Sequence, residues 1–142
     1  MAGRISRISF DPRKKGLKRV LGELESQIME ILWSLSEATV RQVHARLQER
    51  RKIAYTTVMT VMSRLAEKGL LERRKEGNAY VYQPLSSRRE FTHSVVGSVI
   101  ASLIRDFGTP TMTQFLESVE EEDPESIEEL ARLIEERRGR DV

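Results

Sequence analysis

Cysteine is absent from the 142 residues. That excludes disulfides, thiolate metal sites and cysteine catalysis, and it fits a reducing compartment. Histidine occurs twice, too sparsely for a zinc site without thiolates, so a packing or surface role is expected for His44. No apolar run approaches the roughly 18 residues that span a bilayer. The basic N-terminus carries no hydrophobic signal core. A cytoplasmic protein without membrane insertion is expected. There is no glycine-rich phosphate loop, zinc-protease helix or nucleophile elbow, and no histidine is placed to activate the serines and threonines. The acidic run at 120–123 lacks the alternating ligands and turn glycine of a calcium loop and reads as solvated charge. No enzymatic activity, cofactor or metal is expected.

What is present is a globular composition, with 32% charged and 39% hydrophobic residues, long enough for one domain or two small ones. The charge is segregated. Residues 1–85 hold 17 Lys/Arg against 9 Asp/Glu, and residues 86–142 hold 7 against 13. A basic front and an acidic back imply that one half meets a polyanion.

One stretch organises the rest. Over residues 54–69, Val58, Val61, Met62 and Leu65 fall at i, i+3, i+4 and i+7, an apolar helix face. Tyr55, Thr56, Met59, Thr60, Ser63 and Glu67 lie on the other side, with Thr57 and Arg64 flanking them. That outer face is short, rich in hydroxyls and nearly uncharged, which suits a DNA groove better than bulk solvent. Thr56, Thr57, Thr60 and Ser63 offer donors and acceptors to base edges. The methyls of threonine and the side chain of Met59 suit thymine methyls. Tyr55 and Arg64 are expected to meet phosphates or orient the helix. Lys68 and Gly69 supply the ending, with Gly69 in the left-handed position.

The neighbours fit this reading. Residues 1–21 hold seven Lys/Arg, among them Arg4, Arg13 and Lys18, and are expected to be a basic arm. Residues 22–35 carry Leu24, Ile28, Ile31, Leu32 and Leu35 at helical spacing, with Trp33 off the stripe and placed to pack on a neighbour. Residues 37–39 form a connection with room for one small strand. Thr39 and Gln42 make a capping box for a second helix lined by Val40, Val43 and Leu47. Arg50, Arg51 and Lys52 lie in the turn before the third helix, where a helix-turn-helix crosses the sugar-phosphate backbone. Two strands, 70–75 and 79–83, flank Glu76-Gly77-Asn78 as a hairpin wing, in which Arg73, Arg74, Lys75 and Asn78 are expected to hold phosphates. Tyr80 and Tyr82 should share one face and Val81 the other.

Beyond Pro84, Ser87 and Glu90 form a second capping box for a long helix. Its apolar band includes Phe91, Val95, Val99, Leu103 and Phe107. A short helix bears Phe115 and Leu116. A last helix, started by Asp123-Pro124-Glu125, bears Ile127, Leu130 and Ile134. These ten residues are the expected dimer interface, because three helices of under sixty residues show more apolar surface than one copy can hide. The expected fold is mainly α with a small β-hairpin wing: a winged helix-turn-helix domain over 22–85, then a helical dimerisation domain over 86–142.

The residues also carry a resemblance. Leu24-Glu-Ser-Gln-Ile-Met-Glu-Ile-Leu-Trp33, Thr39-Val-Arg-Gln-Val43, the run from Tyr55 to Gly69 and Tyr80-Val-Tyr82 together resemble the penicillinase repressor family of the BlaI/MecI type. Over 22–85 the likeness is specific; beyond, it narrows to three helices and Ile-Glu-Glu-Leu at 127–130. The resemblance implies a homodimeric winged-helix repressor of transcription that binds a palindromic double-stranded DNA operator. It also implies an upstream sensor protease whose pathway cuts the dimerisation region. It maps the recognition pattern onto Thr56, Thr57, Met59, Thr60 and Arg64. The chain departs from it in places. Ala54 stands where many relatives have a serine cap, which leaves Thr56 or Thr57 to cap. Met59 replaces a basic residue found in some. The Asn-Phe cleavage pair of the staphylococcal members is missing around 104–113. Two other readings come from different classes: a winged-helix protein-interaction module, and a regulator that senses a small molecule.

Overall fold

The structure, a computed structural model, describes residues 16–140. Its order is a 3-10 turn at Gly16–Arg19, α1 (Glu23–Leu35), β1 (Ala38–Thr39), α2 (Val40–Gln48), α3 (Tyr55–Glu67), β2 (Leu71–Glu76), β3 (Ala79–Pro84), α4 (Arg88–Phe107), α5 (Thr109–Glu122) and α6 (Ser126–Gly139). The chain divides into two compact units, one reaching to Val99 and the other beginning at Ile100. The expected architecture, helices plus a hairpin wing, is the observed one.

In the first unit three helices close over a small antiparallel sheet of order β1-β3-β2. The expected stripes face inward. Ile28 and Leu32 of α1, Val43 and Leu47 of α2, and Val58, Met62 and Leu65 of α3 are buried, with Leu71 and Tyr82 from the sheet. Met29 joins them from the flank of the α1 stripe. The stretch assigned by charge to the basic arm is shorter than expected. Leu21 is buried, and Leu17 and Val20 pack against the same core, because these apolar residues interrupt the cations. The remainder of that arm, residues 1–15, lies outside the described residues.

Local chemistry sets the ends of these elements. The backbone N–H of Gln42 donates to Thr39 Oγ1 at 3.2 Å, and the Thr39 N–H donates to Gln42 Oε1 at 2.8 Å. Two orphan donors of the first turn are thereby satisfied. We expect Thr39→Ala to cost about 1 kcal/mol of stability, read as a lower urea midpoint at unchanged slope. Ser87 and Glu90 do the same for α4, at 3.0 Å each way. The backbone N–H of Ser87, accepted by Glu90, holds that carboxyl below its ordinary range.

The third helix ends in a Schellman turn. Leu70 N–H donates to Leu65 O and Gly69 N–H to Ala66 O, while Gly69 sits at φ +84° and Leu65 and Leu70 are buried together. These are the bonds and the apolar contact of that motif. The hairpin turn is tighter than expected. Glu76 pairs with Ala79, which leaves Gly77-Asn78 as a two-residue loop with Gly77 at φ +61°. Positive φ at the first loop residue alone is the II′ form, which suits the twist of a hairpin.

The first half of α4 belongs to the winged-helix unit, and here the expected dimer interface needs correction. Phe91, 3% exposed, and Val95 lie in the core of the single chain. The Trp33 ring stands 5.7 Å from the Phe91 ring, and Trp33 Nε1–H donates to Ser86 O at 3.0 Å. Arg88 Nε donates to Glu30 Oε1 at 2.9 Å on the surface above. Both halves of the Trp33 side chain, ring and N–H, are thus used to hold the start of α4 on α1.

In the second unit Gly108, at φ +62°, is the one residue between α4 and α5. Thr111 Oγ1 donates to Leu103 O across that corner. The helix α6 begins at Ser126 rather than at Pro124, after a turn in which Ser126 N–H donates to Asp123 O. Neither α5 nor α6 contains a buried residue. Among the described residues no helix is long and apolar enough to cross a membrane.

Candidate nucleic-acid interface

The outer face of α3 stands free of the core. Tyr55 and Met59 are 45% and 43% exposed. Thr56, Thr57, Thr60 and Arg64 are exposed, and Ser63 is half-buried. The helix starts at Ala54 without a side-chain cap, so neither Thr56 nor Thr57 takes the capping role open to them in the sequence. Their hydroxyls stay on the surface. The Thr60 hydroxyl is also exposed, but its proton is used: Oγ1 donates to the Thr56 carbonyl at 2.9 Å.

The approach to α3 is braced from α2. His44 Nε2–H donates to Ile53 O at 2.8 Å, which fixes the tautomer, since a carbonyl only accepts. The edge of that ring meets Tyr55 at 5.6 Å between centroids. His44 therefore has the packing role expected of it, and it sets the direction of Tyr55. Arg51 reaches back to Gln27 at 3.2 Å. Arg50 and Lys52 are exposed beside it.

The wing does not present its cations alike. Register puts Arg73 opposite Tyr82 and Lys75 opposite Tyr80, with Arg74 opposite Val81. Alternation along a strand then separates Arg74 from the other two. Arg74 Nη1 donates to Glu37 Oε2 at 2.8 Å, and Nη2 lies 3.5 Å from Glu76. The bond from Arg74 holds the Glu37 carboxyl below its ordinary range. Arg73 lies over the Tyr80 ring, 4.5 Å from its centroid, and Nη1 donates to the Tyr82 hydroxyl at 3.4 Å. That bond to Tyr82 is the first cause of its raised pKa. Lys75 and Asn78 are exposed at the hairpin end. The three cations that look equivalent in sequence are one internal ion pair, one stacked guanidinium and one free ammonium among the described residues. Tyr80, 45% exposed beneath Arg73, was not singled out as a contact. The available signal is that Tyr80 shares the strand face of Tyr82, across from Arg73 and Lys75.

The second unit carries the other surface. Leu103, Phe107, Phe115, Leu116 and Ile134 are exposed, Phe107 at 64%, and Ile127, Leu130 and Val99 are half-buried. Leu103, Ile104, Phe107, Phe115, Leu130 and Ile134 line one apolar groove of about 760 Å³. Seven of the ten residues assigned to the interface are thus on or beside this surface. Val99 lies at the end of the first unit, and Phe91 and Val95 are inside it. No cluster of His, Asp and Glu among the described residues could hold a metal.

The penicillinase repressor family profile matches residues 21–136. The chain belongs to the penicillinase repressor family. The transcriptional regulator BlaI of Mycobacterium tuberculosis is 38% identical over 110 residues, covering 75% of this chain and 79% of that one. The penicillinase repressor of Bacillus licheniformis is 25% identical over 120 residues, covering 84% and 93%. Among solved structures, the DNA-binding domain of the repressor BlaI matches at 27% identity and a TM-score of 0.45, over 53% of this chain and 90% of that one. This repressor is a DNA-binding regulator of transcription with a winged-helix fold, not an enzyme.

Proposed function

We propose that this repressor binds a palindromic operator as a homodimer in the cytoplasm, with α3 in the major groove and the wing on the adjoining backbone. The observation that carries the reading is the division of α3 into a core face with no exposure at Val58, Met62 and Leu65 and a nearly uncharged outer face. A helix of that kind docks its N-terminal residues on base edges. Tyr55, Thr56, Thr57, Met59, Thr60, Ser63 and Arg64 form the reading face, and Arg50, Arg51, Lys52, Lys75 and Asn78 supply field and phosphate contacts. The bare α5 and α6 support the second half of the reading. An apolar surface left open over two whole helices marks a subunit interface, and a two-fold pair matches a two-fold operator. A sensor-protease pathway that cut the helical half over 86–142 would remove that interface.

Selection of bound duplexes from a random pool, followed by footprinting, tests the proposal. An inverted repeat with half-sites spaced by about one helical turn, or a small multiple, is the expected product; an asymmetric or absent consensus contradicts it. The wing yields a separate expectation. Lys75→Ala should weaken all DNA similarly and reduce the slope of log K against log salt by about one unit. Arg74→Ala should leave that slope unchanged, because its charge is already matched by Glu37 and Glu76. Titrations at four salt concentrations distinguish the two.

A further inference from the structure

The reading face of α3 is not chemically uniform, and the pattern specifies what it reads. The Thr60 hydroxyl has one proton, and that proton lies in the bond to the Thr56 carbonyl at 2.9 Å. So bonded, the Thr60 hydroxyl donates to no base edge and keeps only its acceptor lone pairs. Its neighbour Met59, 43% exposed, is a thioether with no proton to give. Thr56 lies three and four residues before this pair, on the same helix face, and its hydroxyl is exposed. Side-chain donors thus lie in the first turn and again at Ser63 and Arg64, and the second turn between them offers methyl and thioether surface.

We propose that Thr60 and Met59 form a methyl-reading pair that recognises the C5-methyl group of thymine in each half-site. The inference rests on α3 entering the major groove, as proposed above. In that groove the C5-methyl is the one apolar feature of any base edge. A methyl pressed against the Thr60 methyl and the Met59 side chain leaves water. An acceptor edge such as guanine O6 or N7 at the same place would lose its water and gain no donor. The internal hydrogen bond matters here as a positioning device: it selects the Thr60 rotamer and withholds the donor that would otherwise permit purine binding. The specificity is therefore by exclusion as well as by contact.

Replacing each thymine of a selected operator by deoxyuridine, one at a time, tests this. Deoxyuridine keeps every hydrogen-bonding group of thymine and lacks the methyl. At one thymine per half-site the wild type should lose about three- to fivefold in affinity, the worth of one buried methyl. Thr60→Val keeps the methyl and removes the hydroxyl, and should show the same loss at the same thymine. Thr60→Ser keeps the hydroxyl and removes the methyl, and should discriminate thymine from deoxyuridine there less than the wild type, by the share that Met59 alone retains. Melting temperatures of both variants confirm that they are folded. A protein that selects an operator but tolerates deoxyuridine at every position overturns the proposal, as does a Thr60→Ser variant with undiminished discrimination. So does a Thr60→Val variant that binds no better than Thr60→Ser, because then the hydroxyl oxygen is the reader. A protein that selects no sequence at all refutes instead the placement of α3 in the groove.

Discussion

Phe107→Glu is expected to convert the repressor from dimer to monomer and to lower its operator affinity by about a hundred- to ten-thousandfold. Phe107 is 64% exposed in the single chain and lines the apolar groove with Leu103, Phe115 and Ile134. A carboxylate there would have to leave water for an apolar interface, a cost that abolishes association rather than weakening it. The loss on DNA follows from linkage. Two half-site contacts joined in one molecule gain an effective concentration of order millimolar, worth about 10² to 10⁴ in overall affinity. A monomer retains the half-site contacts and forfeits that factor. Sedimentation equilibrium and titration on whole and half operators measure both parts. Because no residue of α5 or α6 is buried in the single chain, the winged-helix unit should keep its melting transition. A Phe107→Glu protein that stays dimeric and binds normally would move the interface elsewhere.

Thr60→Glu is the second large effect. It sets a carboxylate on the reading face, where the approaching groove is lined by phosphates. Like charges brought together without water cost several kcal/mol, and operator binding should fall by at least about a hundredfold. Stability should hardly change, because the Thr60 side chain contacts its own helix and contributes nothing to the core. Near-neutral behaviour is usual for surface positions away from caps and packing. Gel-shift titration against the selected operator, with a thermal melt beside it, separates the two. Unchanged binding would mean that this face of α3 is turned away from DNA.

Local sequence carried much of the fold because its signals are local. The stripes on α1, α2 and α3 follow from helical spacing, and the capping boxes at Thr39 and Ser87 follow from pairs three residues apart. The end of α3 follows from a glycine that alone accepts φ +84° cheaply. What could not be read was which partner covers an apolar face. Phe91 and Val95 share a periodic band with Leu103 and Phe107, and spacing cannot say that Trp33 lies against Phe91 and Val95 joins the same core while the second pair stays open. The same limit applies to Arg73, Arg74 and Lys75. Adjacent cations in a strand alternate faces, but Glu37, 37 residues away in sequence from Arg74, decides that Arg74 is already matched. The end of the basic arm was misplaced because charge outweighed the three apolar residues Leu17, Val20 and Leu21 that anchor to the core.

Thr56, Thr57, Met59 and Thr60 face outward, and none of them belongs to the packed interior. Folding therefore places almost no constraint on the identity of these four side chains. Should they read the operator as proposed, a lineage can change them, and with them the promoter it silences, without first acquiring compensating changes beneath. The scaffold and the address it carries are free to evolve at different speeds.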